Sequence, residues 1–371
     1  MEKNRQKLII LTNTSGGLYL FRYELIMKLL PDYDIYVLTT DTGRVNELIN
    51  LGCTVDIINI DKRGTNPFND AKLLFRYLQY IKKHNSNYVI NYTIKPNIYG
   101  GIACSILKVP YSNNITGLGT AFEKKGALQR SVEFLYKKGC LHAKRVFFEN
   151  SDNLELFIGK RIVKRQQAVL LNGAGVNLEK FAYEPYPVKQ GPVHFLFMGR
   201  IMREKGIEEL LQAATKLKED GYEFSLDVIG GFVDNYQNVF EKYGKETWFN
   251  YFGFQNDVRP FISHSHCFVL PSWHEGMANT NLESAAMGRP VITSNIPGCK
   301  ESVIEGISGF LCEPKNSDSL YKSMAAFIEL PYEKKRQMGL EGRKHMELCF
   351  SKEAVVEKTI YGLFNEGEII T

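Results

Sequence analysis

The chain has 371 residues, 44% hydrophobic and 23% charged, with a net charge of +5. These values suit two soluble globular domains with a full core each. No run approaches the ~18–20 apolar residues of a membrane-spanning helix, and the seven cysteines are scattered with no C-x-x-C pair, which argues against a membrane span, a zinc module and a disulfide framework.

The first residues, MEKNRQK, run into a short apolar segment with no small-residue cleavage site, so no secretory leader is expected and a reducing cytoplasm is. Apolar, β-branched runs at 7–14, 34–40, 55–60, 88–93, 145–150 and 168–172 predict strands separated by helices. Asp32-Tyr33-Asp34 matches the D-x-D pattern of metal-dependent enzymes, yet it precedes a strand and reads as a polar turn. Residues 123–145 interleave Lys124, Lys125, Arg130, Lys137 and Lys138 with Leu128, Phe134 and Leu141. That pattern fits a helix lying on an anionic bilayer, and equally a helix packed on its own sheet with a solvated basic face. Residues 185–192 hold three prolines and a glycine and read as a linker. A second series of strands follows at 193–199, 224–229, 248–253, 266–271, 290–294 and 309–312. Between its first two strands, Ile207, Leu210, Leu211, Ala214 and Leu217 share one helical face.

Near-continuous apolar strands alternating with helices define an α/β protein of two doubly wound, Rossmann-like domains, 1–185 and 186–349. The helical segment 350–371 is a candidate to pack back on the first. The charge is uneven. Residues 1–185 carry 26 Lys+Arg against 16 Asp+Glu, and residues 186–371 carry 20 against 25, so the first half is suited to an anionic partner.

Ligands of open parallel sheets bind beyond the carboxyl ends of the strands. In the second half the first such loop reads Gly199-Arg200-Ile201-Met202-Arg203-Glu204-Lys205-Gly206. Cations beside a helix N-terminus suit a diphosphate, and the same residues also read as a solvated basic loop. After the fourth strand, Glu275 precedes Gly276, Met277, Ala278, Asn279 and Thr280, and a helix is predicted from Thr280. Local sequence alone reads Thr280-x-x-Glu283 as a capping box.

The ordered set Gly199-Arg200, Lys205-Gly206, Glu275-x7-Glu283, Gly288-Arg289-Pro290, Pro297-Gly298 and Gly309-Phe310-Leu311 resembles the second domain of retaining GT-B glycosyltransferases of family 4, the glycosyltransferase group 1 family. The segment 175–181, Gly-Val-Asn-Leu-Glu-Lys-Phe, resembles another family signature. The segments 14–22, 66–68, 93–97 and 114–120 resemble the subgroup building bacterial surface polysaccharide and lipid-linked oligosaccharide, most closely its N-acetylgalactosaminyltransferases. The resemblance implies a GT-B fold, two such domains facing across a cleft. It implies that Arg200 and Lys205 hold a donor diphosphate. Glu275 with the amides at 276–279 would face the transferred sugar, and Glu283 would hold the ribose hydroxyls. It further implies retention of configuration, no metal or cofactor, a UDP-sugar donor and a polyprenyl-diphosphate-linked acceptor at the inner face of the cell membrane. Gly16, Gly17, Arg22 and Lys95 are expected near the acceptor or the cleft. The family's first-domain His has no counterpart at 116–119. Rival readings are a nonhydrolysing UDP-sugar epimerase of the same fold and a basic nucleic-acid-binding protein. The first is disfavoured because the Arg–Lys–Glu-x7-Glu set belongs to transferases, and the second has no recognisable nucleic-acid module; a nicotinamide dehydrogenase is set aside because no clean G-x-G-x-x-G follows the first strand.

Overall fold

A computed structural model of the chain describes residues 5–60, 66–118, 126–188 and 191–365. Two compact units emerge, Met1–Ala174 with Glu353–Thr371, and Gly175–Lys352. The first unit runs β1 (Gln6–Leu11), α1 (Ser15–Leu29), β2 (Tyr33–Thr39), α2 (Val45–Asn50), β3 (Thr54–Ile57), α3 (Pro67–His84) and β4 (Tyr88–Tyr92). A π-helical turn (Pro96–Gly100) leads into α4 (Gly101–Leu107), β5 (Tyr111–Ile115), α5 (Ala127–Cys140), β6 (Arg145–Phe148), α6 (Ser151–Gly159) and β7 (Ala168–Leu170). Its seven strands pair in parallel in the order β3-β2-β1-β4-β5-β6-β7.

Side chains alternate across this sheet. Leu8 and Ile10 of β1 join a core with Leu18, Leu25 and Ile26 of α1, while Ile9 and Leu11 join Tyr77 and Ile81 of α3 on the other face. The last helix of the chain, numbered α13 below, packs on the first of these faces through Val355, Val356 and Leu363, and Phe364 stacks on Tyr33 with ring centroids 5.1 Å apart. The helical part of the segment, from Glu353, therefore packs with the first sheet.

The second unit runs β8 (Val193–Met198), α7 (Ile207–Glu219), β9 (Phe224–Ile229), α8 (Gln237–Tyr243), β10 (Phe249–Tyr251), α9 (Arg259–His264), β11 (Cys267–Leu270) and α10 (Asn279–Ala286). It continues through β12 (Val291–Ser294), β13 (Gly309–Cys312), α11 (Ser317–Glu329) and α12 (Tyr332–Cys349), and α13 (Lys352–Phe364) closes the chain. Its six strands are also parallel, in the order β10-β9-β8-β11-β12-β13. In each sheet the order reverses once, between β1 and β4 and between β8 and β11. These are the switch points where helices leave in opposite directions and a crevice opens at the carboxyl ends.

The Pro-rich stretch expected as a linker belongs to the second unit, a correction to the boundary at 185/186. The buried Arg289 guanidinium donates to six backbone carbonyls, among them those of Glu184 and Pro185 at 3.0 Å each. Tyr186 is buried and donates its hydroxyl to the His266 carbonyl at 2.8 Å. A buried cation needs acceptors, and this strap supplies them. The chain instead divides at 174/175 and 352/353, where the two passages lie side by side. Val176 pairs with Ser351, its N–H donates to the Phe350 carbonyl at 2.8 Å, and it accepts from Lys352 at 3.0 Å.

Candidate functional site

In the second unit two loops meet at the switch point. The first leaves β8 at Gly199-Arg200 and makes a 3-10 turn at Arg203–Lys205. Gly206 ends that turn with φ +72°, and a Cβ there would sit 2.0 Å from the Pro271 carbonyl oxygen, so only glycine lets this loop press against the end of β11. The second loop, from Pro271 to α10, is held from its other side. Gly298, φ +83°, lies so close to the Gly276 carbonyl that a Cβ would meet it at 2.6 Å, and the Gly298 carbonyl accepts from Ala278 N–H at 2.7 Å.

This clamping brings Lys205 and Glu275 together. The Lys205 ammonium donates to Glu275 Oε1, and Ser272 Oγ donates to the same oxygen at 2.8 Å. Their side chains are 17% and 12% exposed, so the pair is largely shielded yet reachable. Arg200 is exposed and has no ion pair among the described residues. The amides of Met277, Asn279 and Thr280 have no intramolecular partner among the described residues, whereas Ala278 N–H is taken by Gly298. Trp273 braces the loop, donating its indole N–H to Glu209 at 3.2 Å and lying beneath Arg203 and Lys315.

Glu283 lies on α10, and the capping box does not form. The helix starts at Asn279 with Ala278 as N-cap, and no side chain caps it. The Ala278 N–H bond to the Gly298 carbonyl holds the N-cap at Ala278, two residues ahead of Thr280. Burial pushes the Glu283 carboxyl up to about 7, against the pull of Lys180 and Lys352. Lys180 belongs to the 175–181 signature, whereas Ser272 and Lys352 carry no motif of their own, and only their place beside these carboxylates reveals them. Asp32-Tyr33-Asp34 sits at the amino end of β2, with Asp34 bridged to Arg5 at 3.2 Å, away from the strand ends that bind ligands.

The first-unit candidates are less available. Gly16 N–H donates to Thr42 Oγ1 at 2.8 Å, and Gly17 N–H to the N-cap Thr14 Oγ1 at 3.0 Å. Arg22 is 8% exposed, donates to Glu149 Oε1 at 2.6 Å and lies over the Tyr92 ring at 5.1 Å. Both glycine amides and this guanidinium are thus spent on the unit's own structure, contrary to the expectation of an open acceptor contact. Lys95 is also buried, ion-paired with Asp70 at 2.7 Å, but it lines a cavity. Lys124 and Lys125 fall outside the described residues. Arg130, Lys137 and Lys138 are exposed on α5 beside exposed Leu128 and Phe134. Among the described residues no helix is long and apolar enough to cross a membrane.

Residues 181–345 match the model of Glycosyl transferases group 1, and residues 7–150 match that of Glycosyl transferase 4-like. The two matches fall one on each unit, and the chain resembles the glycosyltransferase group 1 family, with two parallel Rossmann-like domains as in the GT-B fold. It is 25% identical over 337 residues, 86% of this chain and 88% of the relative, to the N,N'-diacetylbacillosaminyl-diphospho-undecaprenol alpha-1,3-N-acetylgalactosaminyltransferase of Campylobacter jejuni. It is 25% identical to the capsular polysaccharide biosynthesis glycosyltransferase CapM of Staphylococcus aureus, across 97% of both chains. Among solved structures it is similar in fold to Anabaena Alr3699/HepE in complex with UDP and glucose, with a TM-score of 0.79 and 15% identity over 97% of this chain and 99% of that one.

Proposed function

We propose that the chain transfers an N-acetylhexosamine, best N-acetylgalactosamine, from its UDP-sugar to a polyprenyl-diphosphate-linked saccharide, with retention and without metal, while peripherally bound to the inner face of a bacterial cell membrane. The observation that carries this reading is the Lys205–Glu275 pair set beside an unpaired Arg200 and three free amides at one switch point. As the bond between sugar and nucleotide breaks, charge grows on the β-phosphate. Arg200 and Lys205 stabilise it from fixed positions, a contribution typically worth about 2.7–4 kcal/mol per preorganised donor. Glu275 holds Lys205 in place and offers its second oxygen to sugar hydroxyls. Glu283 accepts from the ribose. The departing phosphate oxygen takes the acceptor's proton on the face it leaves, so no protein base is needed. The sugar and acceptor classes are supported by the activity of the Campylobacter jejuni relative, and the UDP class by the HepE complex.

The test is a panel of UDP-sugars with a lipid-diphosphate saccharide acceptor in excess chelator, with the product's anomeric configuration read by NMR. An inverted product, or transfer abolished by chelation, sinks the corresponding part of the reading. Conversion of the donor without any acceptor would favour an epimerase instead.

A further inference from the structure

The first unit holds a cavity of about 530 Å³ beyond the ends of β2 and β3, closed on one side by α3. Its size lies in the range of ligand sites. Thr40, Asn59, Asn69, Lys72, Arg76 and Lys95 are among its lining residues. The charges there are unequal in standing. Asp70 is satisfied twice, by Lys95 at 2.7 Å and by the Tyr99 hydroxyl at 2.8 Å. Asp41 turns back to accept from Gly43 N–H at 2.8 Å. Lys72 and Arg76, one helical turn apart on α3, have no ion pair among the described residues. The lining holds Lys72, Arg76 and Lys95 against Asp41 and Asp70, so a net positive charge remains, with Lys72 and Arg76 free of ion pairs among the described residues and amide side chains beside them.

The strand that delivers Lys95 adds an independent sign. Thr93, just after β4, has φ +74°, a conformation that is costly for a β-branched residue, and its buried hydroxyl has no partner among the described residues. A π-helical turn follows directly at Pro96–Gly100, and such turns are frequent at functional sites. The fold sustains this strain and sets Lys95 and its partner Asp70 as a fixed floor to the cavity.

We propose that this cavity is an anion subsite that takes the diphosphate of a glycosyl-diphosphate acceptor, with Lys72 and Arg76 on the phosphates and Asn59 and Asn69 on sugar hydroxyls. The assignment of the ligand as acceptor rests on the transferase reading, while the anion site itself does not. Lys72 is a point charge and Arg76 a planar fork, a combination suited to two adjacent phosphoryl groups.

The full chain, saturated with UDP to fill the second unit, is titrated calorimetrically with inorganic pyrophosphate. One equivalent binds, and the exchange of both cations in K72Q/R76Q weakens binding about tenfold or more, as expected for charge-assisted hydrogen bonds. K82Q/K83Q, exposed at the far end of the same helix, changes it less than about twofold. Equal loss in both variants would mean only general attraction to a basic helix, and no loss in K72Q/R76Q would remove the site; either overturns the proposal. Melting temperatures of the variants verify that both still fold. With substrate, K72Q/R76Q raises KM for the diphosphate acceptor and leaves KM for the UDP-sugar unchanged. Absence of transfer from every donor would count against the transferase reading while the pyrophosphate titration still stands or falls alone.

Discussion

Glu283 carries a pH signature that separates its roles. A folded carboxyl at about 7 lies above the usual carboxylate value, so burial disfavours its charged form. A raised acid destabilises the fold wherever it is ionised, which begins above the unfolded value near 4 and reaches full size above about 7. Glu283→Gln, a neutral isostere, is therefore expected to be more stable than the parent at pH 8 by on the order of 2 kcal/mol, with the gap closing towards pH 4. Urea titrations at pH 8, 6 and 4 read this, and a gap that does not shrink with acid contradicts it. Donor affinity moves the other way. If Glu283 holds the ribose as proposed, its ionised carboxylate is the better acceptor, and UDP binding is expected to weaken as pH falls through about 7 and to lose that dependence in Glu283→Gln. Lys205→Ala acts on chemistry as well as binding. It should lower kcat by roughly 10²–10³, the cost of one lost electrostatic donor. A steady-state assay showing a change in KM alone would deny Lys205 a role in the transition state.

At the scale of elements, the clamps around the 271–279 loop invite a direct test. Gly206→Ala places a methyl against the Pro271 carbonyl at a positive φ, and the expected loss is more than about 1 kcal/mol, read as a lower denaturation midpoint. The strap offers a second. Arg289→Ala strands six carbonyls and should cost about 3–5 kcal/mol, with protease cleavage appearing first near residues 184–188. Unchanged cleavage kinetics would show that the strap is held by Tyr186 instead. These elements also show what the sequence concealed. The apolar runs of β1, β8 and β11 announced themselves, and the ordered motifs singled out Arg200, Lys205, Glu275 and Glu283, of which the structure brings Lys205 and Glu275 into contact. Strand β5 did not, because Tyr111-Ser112-Asn113-Asn114-Ile115 has a polar centre. Its amides are satisfied by groups far away in sequence, Asn113 by Asn91 at 2.8 Å and by the Gly139 carbonyl at 3.0 Å, so burial of a polar strand was visible only once the sheet was assembled. Arg22 failed differently. A conspicuous cation near a glycine loop looks like a ligand contact until its partner, Glu149, 127 positions later, is seen beside it.

At the scale of the whole molecule the charge asymmetry gains a boundary. The unit of residues 1–174 and 353–371 carries 26 Lys+Arg against 18 Asp+Glu, so its excess survives the transfer of the acidic last helix into it. Part of that excess lies on α5, where Lys137 and Lys138 are exposed and Lys138 lies 5.4 Å from the Phe134 ring. Phe134 is 58% exposed and Leu128 51%, apolar groups left in water beside cations, while Tyr136 and Cys140 on the opposite side are buried in the core. A helix so divided is anchored by one face and free to meet an interface with the other. Each basic residue near an anionic bilayer contributes about 1 kcal/mol, so Lys137→Ala/Lys138→Ala should weaken vesicle binding by roughly thirtyfold. The dependence on charge must appear twice. Binding should rise with the fraction of anionic lipid, and it should fall as salt shortens the screening length from about 10 Å at 0.1 M towards 3 Å at 1 M. Sedimentation with neutral and anionic vesicles checks both. Equal binding to the two compositions, or an unchanged affinity in the double variant, would return α5 to a helix whose outer face is merely solvated, and the attachment of this enzyme to its membrane-bound acceptor would then rest on recognition of the acceptor itself.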